Sequence, residues 1–218
     1  TSMWITENNL TSLVQSGYGL LEQILSPANL NAAYKRVRQN KGAGGVDEME
    51  VDSLKDYLIE QKDKLIATIL DGKYRPNPVR RVEIPKENGK KRALGIPTVV
   101  DRVIQQAITQ VLSPIYEKQF SSHSYGFRPK RSAHQALRQC QRYITEGYSH
   151  AVDMDLEKFF DTVNQSKLVE VLSRTIRDGR VISLIHRYLQ AGVVMSGKFE
   201  QTTVGVPQGG PLSPLLSN

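Results

Sequence analysis

Between Tyr148 and Asp161 the chain sets three acids, Asp153, Asp155 and Asp161, among apolar and aromatic residues. Read at period two, Val152, Met154 and Leu156 fall on one face of a short strand, and Ala151, Asp153 and Asp155 on the other. Two carboxylates a dipeptide apart beside apolar packing repel unless a cation lies between them. The pattern suits a divalent metal held at the end of a strand, with Phe159-Phe160 as its bulky neighbour. Asp155 is the preferred ligand. Asp153 shares its face one pleat back, and Asp161 follows the turn, where favouring a helix start is its simpler role.

The partner of such a site is indicated by charge. The 218 residues carry a net +7 with pI near 9.5, and 15 Lys/Arg against 4 Asp/Glu lie between Lys73 and Arg142. That segment alone holds +11, so the remainder is net acidic at −4. A regional basic surface points to an acidic polymer, nucleic acid before membrane headgroups. With 39% hydrophobic residues the chain can bury a core in one large domain or two subdomains. Cys140 is the single cysteine, which excludes an internal disulfide and favours a reducing compartment. The longest uncharged run, 201–218, holds three prolines and three glycines and cannot span a membrane.

Several elements must position these groups. Leu10 to Leu25 is mildly amphipathic, and Ser26-Pro27 opens a helix to about Gln39. A joint at 40–47 follows, with three glycines; Lys41 and Gly44 there could approach a phosphate chain closely, or simply form a turn. Ser53 to Leu70 reads as a surface helix. Residues 79–84 and 92–96 flank an Asn-Gly tip and read as a hairpin carrying Arg80, Arg81, Lys86 and Arg92. That hairpin is either a lysine-protected edge or a finger gripping phosphates. Thr98 caps a long core helix to about Phe120, and Ser132 caps another to about Glu146. Gln165 to Arg174 and Arg180 to Leu189 read as helices, 193–195 and 199–204 as a second hairpin, and Pro207 to Pro214 as a rigid loop entering a helix near Leu212.

Five stretches together resemble the reverse transcriptases encoded by bacterial group II introns, the intron maturases. They are residues 40–47, 82–107, 124–137, 155–163 and 205–218, in that family's order. Ser124-Tyr125-Gly126-Phe127-Arg128-Pro129 and Pro207-Gln208-Gly209-Gly210-Pro211-Leu212-Ser213-Pro214 are the most specific strings; the glycine joint and the hairpin are weak alone. The resemblance implies an α+β, right-hand polymerase fold: fingers over residues 1–148, with the hairpin at 79–96 and the helix at 98–120 packing toward the palm, and a partial palm over 149–218.

The same resemblance implies site roles. Asp155 would be the first palm carboxylate, binding both divalent ions, with the Leu156 carbonyl assisting one. Phe160 would lie under the incoming sugar and exclude a 2′-hydroxyl; Lys86 and Arg92 would hold the triphosphate, and Gln208 would touch the sugar side. Two Mg2+ ions about 3.5–4 Å apart would activate the primer 3′-hydroxyl and neutralise the leaving pyrophosphate. The expected partners are dNTP, an RNA template with a DNA or RNA primer, and the parent group II intron RNA, with a homodimer as a further candidate; no membrane is expected, and the bacterial cytoplasm is the expected compartment.

Two departures stand out. Ala93 replaces a proline usual in the family, and the second acidic motif, an aromatic residue followed by two aspartates, does not occur in the 218 residues. The expectation is therefore a fragment inactive in polymerisation alone. Lys41, Gly44, Arg80, Arg81, Arg128, Arg131, Arg138 and Arg142 are the expected RNA- and template-binding residues. An alternative function is RNA binding chiefly as a splicing cofactor, through the Lys73 to Arg142 surface and the N-terminal helices; a retron-like or defence-associated reverse transcriptase comes third.

Overall fold

The computed structural model describes residues 19–85, 89 and 91–218. The N-terminal half runs α1 (Leu20–Ile24), α2 (Pro27–Asn40), α3 (Leu54–Leu70) behind a short 3-10 turn, β1 (Val79–Pro85), β2 (Lys91–Ile96) and α4 (Val99–Tyr116). It continues through α5 (Ala133–Thr145), α6 (Phe159–Thr162), α7 (Gln165–Thr175), α8 (Gly179–Leu189), β3 (Val193–Met195), β4 (Lys198–Glu200) and α9 (Ser213–Leu216). The part of the amphipathic reading at 10–18 and the Lys86 position lie outside the described residues.

Helix α4 is the strut of the molecule. Thr98 starts it by accepting the Asp101 N–H at 3.2 Å. Val99, Val103, Ile104, Ala107, Ile108 and Leu112 are fully buried along it. They pack on α1 and α2 and belong to one buried cluster with Leu172, Val181 and Ile185 of α7 and α8, so residues on both sides of position 148 share one core. Tyr116 donates its hydroxyl to the Leu172 carbonyl at 3.2 Å, and Thr109 donates to the Pro211 carbonyl at 3.2 Å. The helix thus touches both the second helical layer and the loop before α9.

The N-terminus of α4 buries a carboxylate. Asp101 is 1% exposed and accepts from Tyr74 Oη at 2.6 Å, Thr98 Oγ1 at 2.6 Å and the Asn77 N–H at 3.2 Å. Burial pushes its pKa up, opposed by the donors from Thr98, Tyr74 and Asn77. This cluster pins the connector 74–77 onto the strut, and so sets where β1 begins.

The sheet has the order β2-β1-β3-β4. Two antiparallel hairpins, both legible in the sequence, are joined by a short parallel pairing of Val79 with Val193 and Arg80 with Val194. The second hairpin is shorter than its sequence suggested: β4 stops at Glu200, and Thr202 instead donates its hydroxyl to the Leu189 carbonyl at 2.8 Å.

The expected metal-bearing strand does not form. Residues 148–156 have no regular structure, and Val152, Met154 and Leu156, the face meant to anchor them, are 84%, 87% and 69% exposed. An isolated extended segment has no ladder to satisfy its N–H and C=O groups. Among the described residues no strand lies beside it; the sheet forms elsewhere.

Arg128 is corrected too. Expected on an outward RNA surface, it is 7% exposed, pairs with Glu117 at 2.8 Å, donates to the carbonyls of Ser121 and Ser124, and lies over the Phe120 ring at 5.3 Å. The hydrogen bonds from this guanidinium hold the Glu117 carboxyl below its usual range. Every donor group committed inside is unavailable to a phosphate, so Arg128 shapes the loop after α4.

Removing the Tyr74 hydroxyl gives a test of the Asp101 cluster. Tyr74→Phe deletes a donor to a buried carboxylate and is expected to lower unfolding free energy by about 1–3 kcal/mol in urea titrations. Burial raises the Asp101 pKa, so ionisation costs stability as pH rises through it; the Tyr74 donor offsets that cost only in the ionised form. The deficit of Tyr74→Phe therefore shrinks as pH falls through the raised Asp101 pKa. A deficit constant with pH would contradict an ionised Asp101 in this network.

Candidate functional site

A cleft of 430 Å³ opens between the first hairpin and the loop before α9. One wall is the face of β1 and β2 bearing Val79, Arg81, Ala93 and Gly95, since Arg81 pairs with Gly95 and Glu83 with Ala93. The opposite wall is the start of α6, with Lys158, Phe160 and Asp161. Val193, Thr202 and residues 204–208, including Gln208, complete the lining.

The rim is closed by backbone hydrogen bonds. Gly95 N–H donates to the Gln208 carbonyl at 2.7 Å, joining the edge of β2 to the Pro-Gln-Gly-Gly loop. Val206 N–H donates to the Phe160 carbonyl at 2.7 Å and Gly205 N–H to the Val163 carbonyl at 2.8 Å, joining that loop to α6. Arg81 and Asp161 face each other at 3.7 Å across the remaining gap. Two glycines make this possible. A Cβ on Gly95 would come within 2.5 Å of Val79 Cγ1 and 2.8 Å of the Gln208 carbonyl, and Gly205 turns with φ +87° against the Phe160 carbonyl.

Of the residues singled out from the sequence, Phe160, Gln208 and Arg81 come together here. Arg81, expected among the RNA- and template-binding residues, lines the cleft. Arg92 occupies the β2 position opposite Ile84. Arg80 points to the other face of β1, half-buried, with its Nε buried and lacking a partner among the described residues. Asp155 and Leu156 are not in the lining; both are exposed on the unstructured segment leading into α6. The acid the cleft does contain is Asp161, set aside in the sequence as a helix-start residue; it occupies the first turn of α6 and faces Arg81 as well.

The glycine joint folds inward. Arg102 donates to the carbonyls of Lys41 at 3.2 Å and Ala43 at 2.8 Å, clamping the joint to α4. Gly44 is buried, and a Cβ there would meet the Glu48–Met49 backbone at 2.7–2.9 Å. The close approach it permits is to its own chain, not to a phosphate; Lys41 stays exposed at the joint's rim. Arg131 is half-buried, donates to the Ser122 carbonyl at 3.1 Å and lies over Tyr125 at 5.5 Å, while Arg138 and Arg142 are exposed on α5 as expected.

A two-ion centre does not fit the donors present. No group of three or more His, Cys, Asp or Glu close enough to hold a metal occurs among the described residues. Asp155 with the Leu156 carbonyl offers one hydrated divalent ion a foothold, since Mg2+ tolerates one or two carboxylates with water completing its octahedron. A second ion needs a carboxylate these residues do not supply.

Comparison with known proteins places the chain in a family. The defining pattern of the reverse transcriptase (RNA-dependent DNA polymerase) family matches residues 84–218. Protein YkfC of Escherichia coli (strain K12) is 40% identical over 205 residues, covering 91% of this chain and 54% of its own length. The group II intron-encoded protein LtrA of Lactococcus lactis subsp. cremoris is 37% identical over 215 residues, 98% of this chain and 36% of its own. Nuclear intron maturase 2, mitochondrial, of Arabidopsis thaliana is 40% identical over 96 residues, 44% of this chain and 13% of its own. The chain therefore spans about half or less of the relatives it matches. A solved Cas6-RT-Cas1–Cas2 complex, at 24% identity, superposes on 92% of this chain and 33% of its own with a TM-score of 0.62, which shows a shared fold. Pattern, relatives and fold converge: the chain belongs to the reverse transcriptase family, in its α+β fingers-and-palm form, and its likeness is to the intron-encoded members.

Proposed function

We propose that the chain supplies the nucleotide-holding part of an RNA-directed DNA polymerase encoded by a group II intron, with fingers over residues 1–148 and part of the palm over 149–218. The observation that supports it most is the cleft that sets Phe160 and Gln208 opposite Arg81 within one hydrogen-bonded rim. Arg81, on the cleft face of the hairpin, is the cation suited to a triphosphate, whereas the Arg92 position, opposite Ile84, falls on the hairpin's other face. Phe160 supplies a flat apolar wall that a 2′-hydroxyl cannot share, and steric exclusion needs no hydrogen bond. Gln208 presents an amide to the sugar from a loop held by Gly95 and by Ser213, whose hydroxyl donates to the Pro207 carbonyl.

Asp155 remains the proposed metal ligand, assisted by Leu156, once its segment is held by a neighbouring strand. Magnesium is the proposed ion, since hard oxygen donors select it; when bound it would activate the primer 3′-hydroxyl. The substrates are dNTPs, an RNA template and a primer, in the bacterial cytoplasm; Asp161, tied to Arg81, would then orient the hairpin cation.

A second activity, binding of intron RNA as a splicing maturase, is favoured by the exposed Arg138 and Arg142 on α5, with Arg131 in the same basic segment and Lys41 exposed at the glycine joint. The same surface could carry template.

Two measurements separate these roles. In primer extension by the complete enzyme, Asp155→Asn abolishes synthesis while RNA affinity stays within about twofold, and Phe160→Ala lets ribonucleotides in with at least a roughly tenfold loss of sugar discrimination, about 1.4 kcal/mol. Synthesis surviving in Asp155→Asn, or unchanged discrimination in Phe160→Ala, would refute those assignments. In RNA binding across a salt series, Arg138→Ala with Arg142→Ala lowers the log–log slope by about 0.7–0.9 per lost phosphate contact. Arg128→Ala, by contrast, lowers the melting temperature and leaves the slope of the folded protein unchanged.

A further inference from the structure

Gln165 is the first residue of α7 and is 4% exposed. It does not line the cleft. Its Nε2 donates to two carbonyls at once, Leu189 at 2.9 Å and Gly205 at 3.0 Å, which are 24 and 40 residues away in sequence. Its Oε1 is buried without a partner among the described residues. An amide that leaves its own acceptor unsatisfied in the core is a burden on folding, so its presence is explained by what its N–H groups hold.

What they hold is the hinge of the cleft. The Gly205 peptide is fixed on its other side by the bond to Val163, and the next residue, Val206, by the bond to Phe160. Three residues on from Gly205 lies Gln208. The Gln165 amide therefore ties the end of α8 to the glutamine-bearing loop, which is itself bonded through its backbone to the α6 wall. The Leu189 carbonyl also accepts from Thr202 Oγ1, so loss of the amide frees the Gly205 end first.

We propose that Gln165 is a positioning residue that fixes Phe160 and Gln208 in register and thereby sets discrimination against ribonucleotides. The inference rests on the reading of the cleft as a deoxynucleotide site. Loss of the tether leaves the Gly205–Gln208 loop held to α6 by the Gly205–Val163 and Val206–Phe160 backbone bonds alone, so it loosens at the sugar; the base and the triphosphate, held by other residues, are affected less.

The test is single-nucleotide incorporation by the complete enzyme, comparing a dNTP with the matching rNTP. Gln165→Leu retains volume and removes both donors, and Gln165→Asn retains the amide on a stem too short to reach both carbonyls. Asp178→Ala, which removes the N-cap of α8 at a residue that does not line the cleft, serves as a destabilised control. The expected result is a fall in the dNTP-to-rNTP ratio of kcat/KM of about tenfold for Gln165→Leu, below the about 10²-fold that a 1 Å misplacement can cause. The fall should be carried by a higher KM for dNTP and a better-used rNTP, with Gln165→Asn intermediate and Asp178→Ala unchanged. Wild-type discrimination in both Gln165 variants, or an equal fall in Asp178→Ala, overturns the proposal. Should Gln165→Leu fail to fold, Gln165→Asn decides alone. Absence of primer extension by the wild-type enzyme overturns instead the deoxynucleotide reading itself.

Discussion

The 2.7 Å hydrogen bond from Gly95 to the Gln208 carbonyl is the constraint on which the cleft depends. An edge strand normally leaves a row of unpaired N–H and C=O groups facing water. Here one such N–H, on β2, is spent on a loop from the far end of the chain, and the loop in turn reaches α6 through Val206 and Gly205. Because backbone groups make these contacts, the arrangement tolerates change in side chains but not in the glycines that allow the approach. Residue 95 has room for a hydrogen and nothing larger, with Val79 on one side and Gln208 on the other.

Around that bond the remaining structure acts as a mount. The strut helix α4 shares one core with the N-terminal helices and with residues of α7 and α8, and the Asp101 cluster at its start fixes the connector into β1. The parallel pairing of Val79 with Val193 then locks the hairpin's base to the second hairpin. The hairpin is thereby anchored both at its base and at one edge residue, which holds the cleft wall it forms in a fixed position.

Much of this was legible locally. The caps at Thr98 and Ser132, the proline after Ser26 and the apolar stripe along α4 each encode their element within a few residues, and each is where the sequence placed it. What escaped the sequence is long-range. Nothing near Val79 announces a partner 114 residues on at Val193, nothing near Arg128 states that Glu117 and two carbonyls will use up its donors, and Gln165 carries no motif at all. The alternation in 148–156 was a true periodicity that lacks a neighbouring strand, so Asp155 is presented on an extended segment outside the cleft rather than inside it. Asp161 illustrates the converse: its helix-start role is real, and its place opposite Arg81 follows only from the fold.

The most direct measurement of the central claim is photocrosslinking of a deoxynucleoside triphosphate, activated on the sugar, to the primed enzyme, followed by mapping of the labelled peptides. Label on the segment holding Phe160 and on the loop holding Gln208 is the predicted outcome. Label concentrated on α5 or the glycine joint, with neither Phe160 nor Gln208 marked, would contradict the cleft as the place where the nucleotide is held.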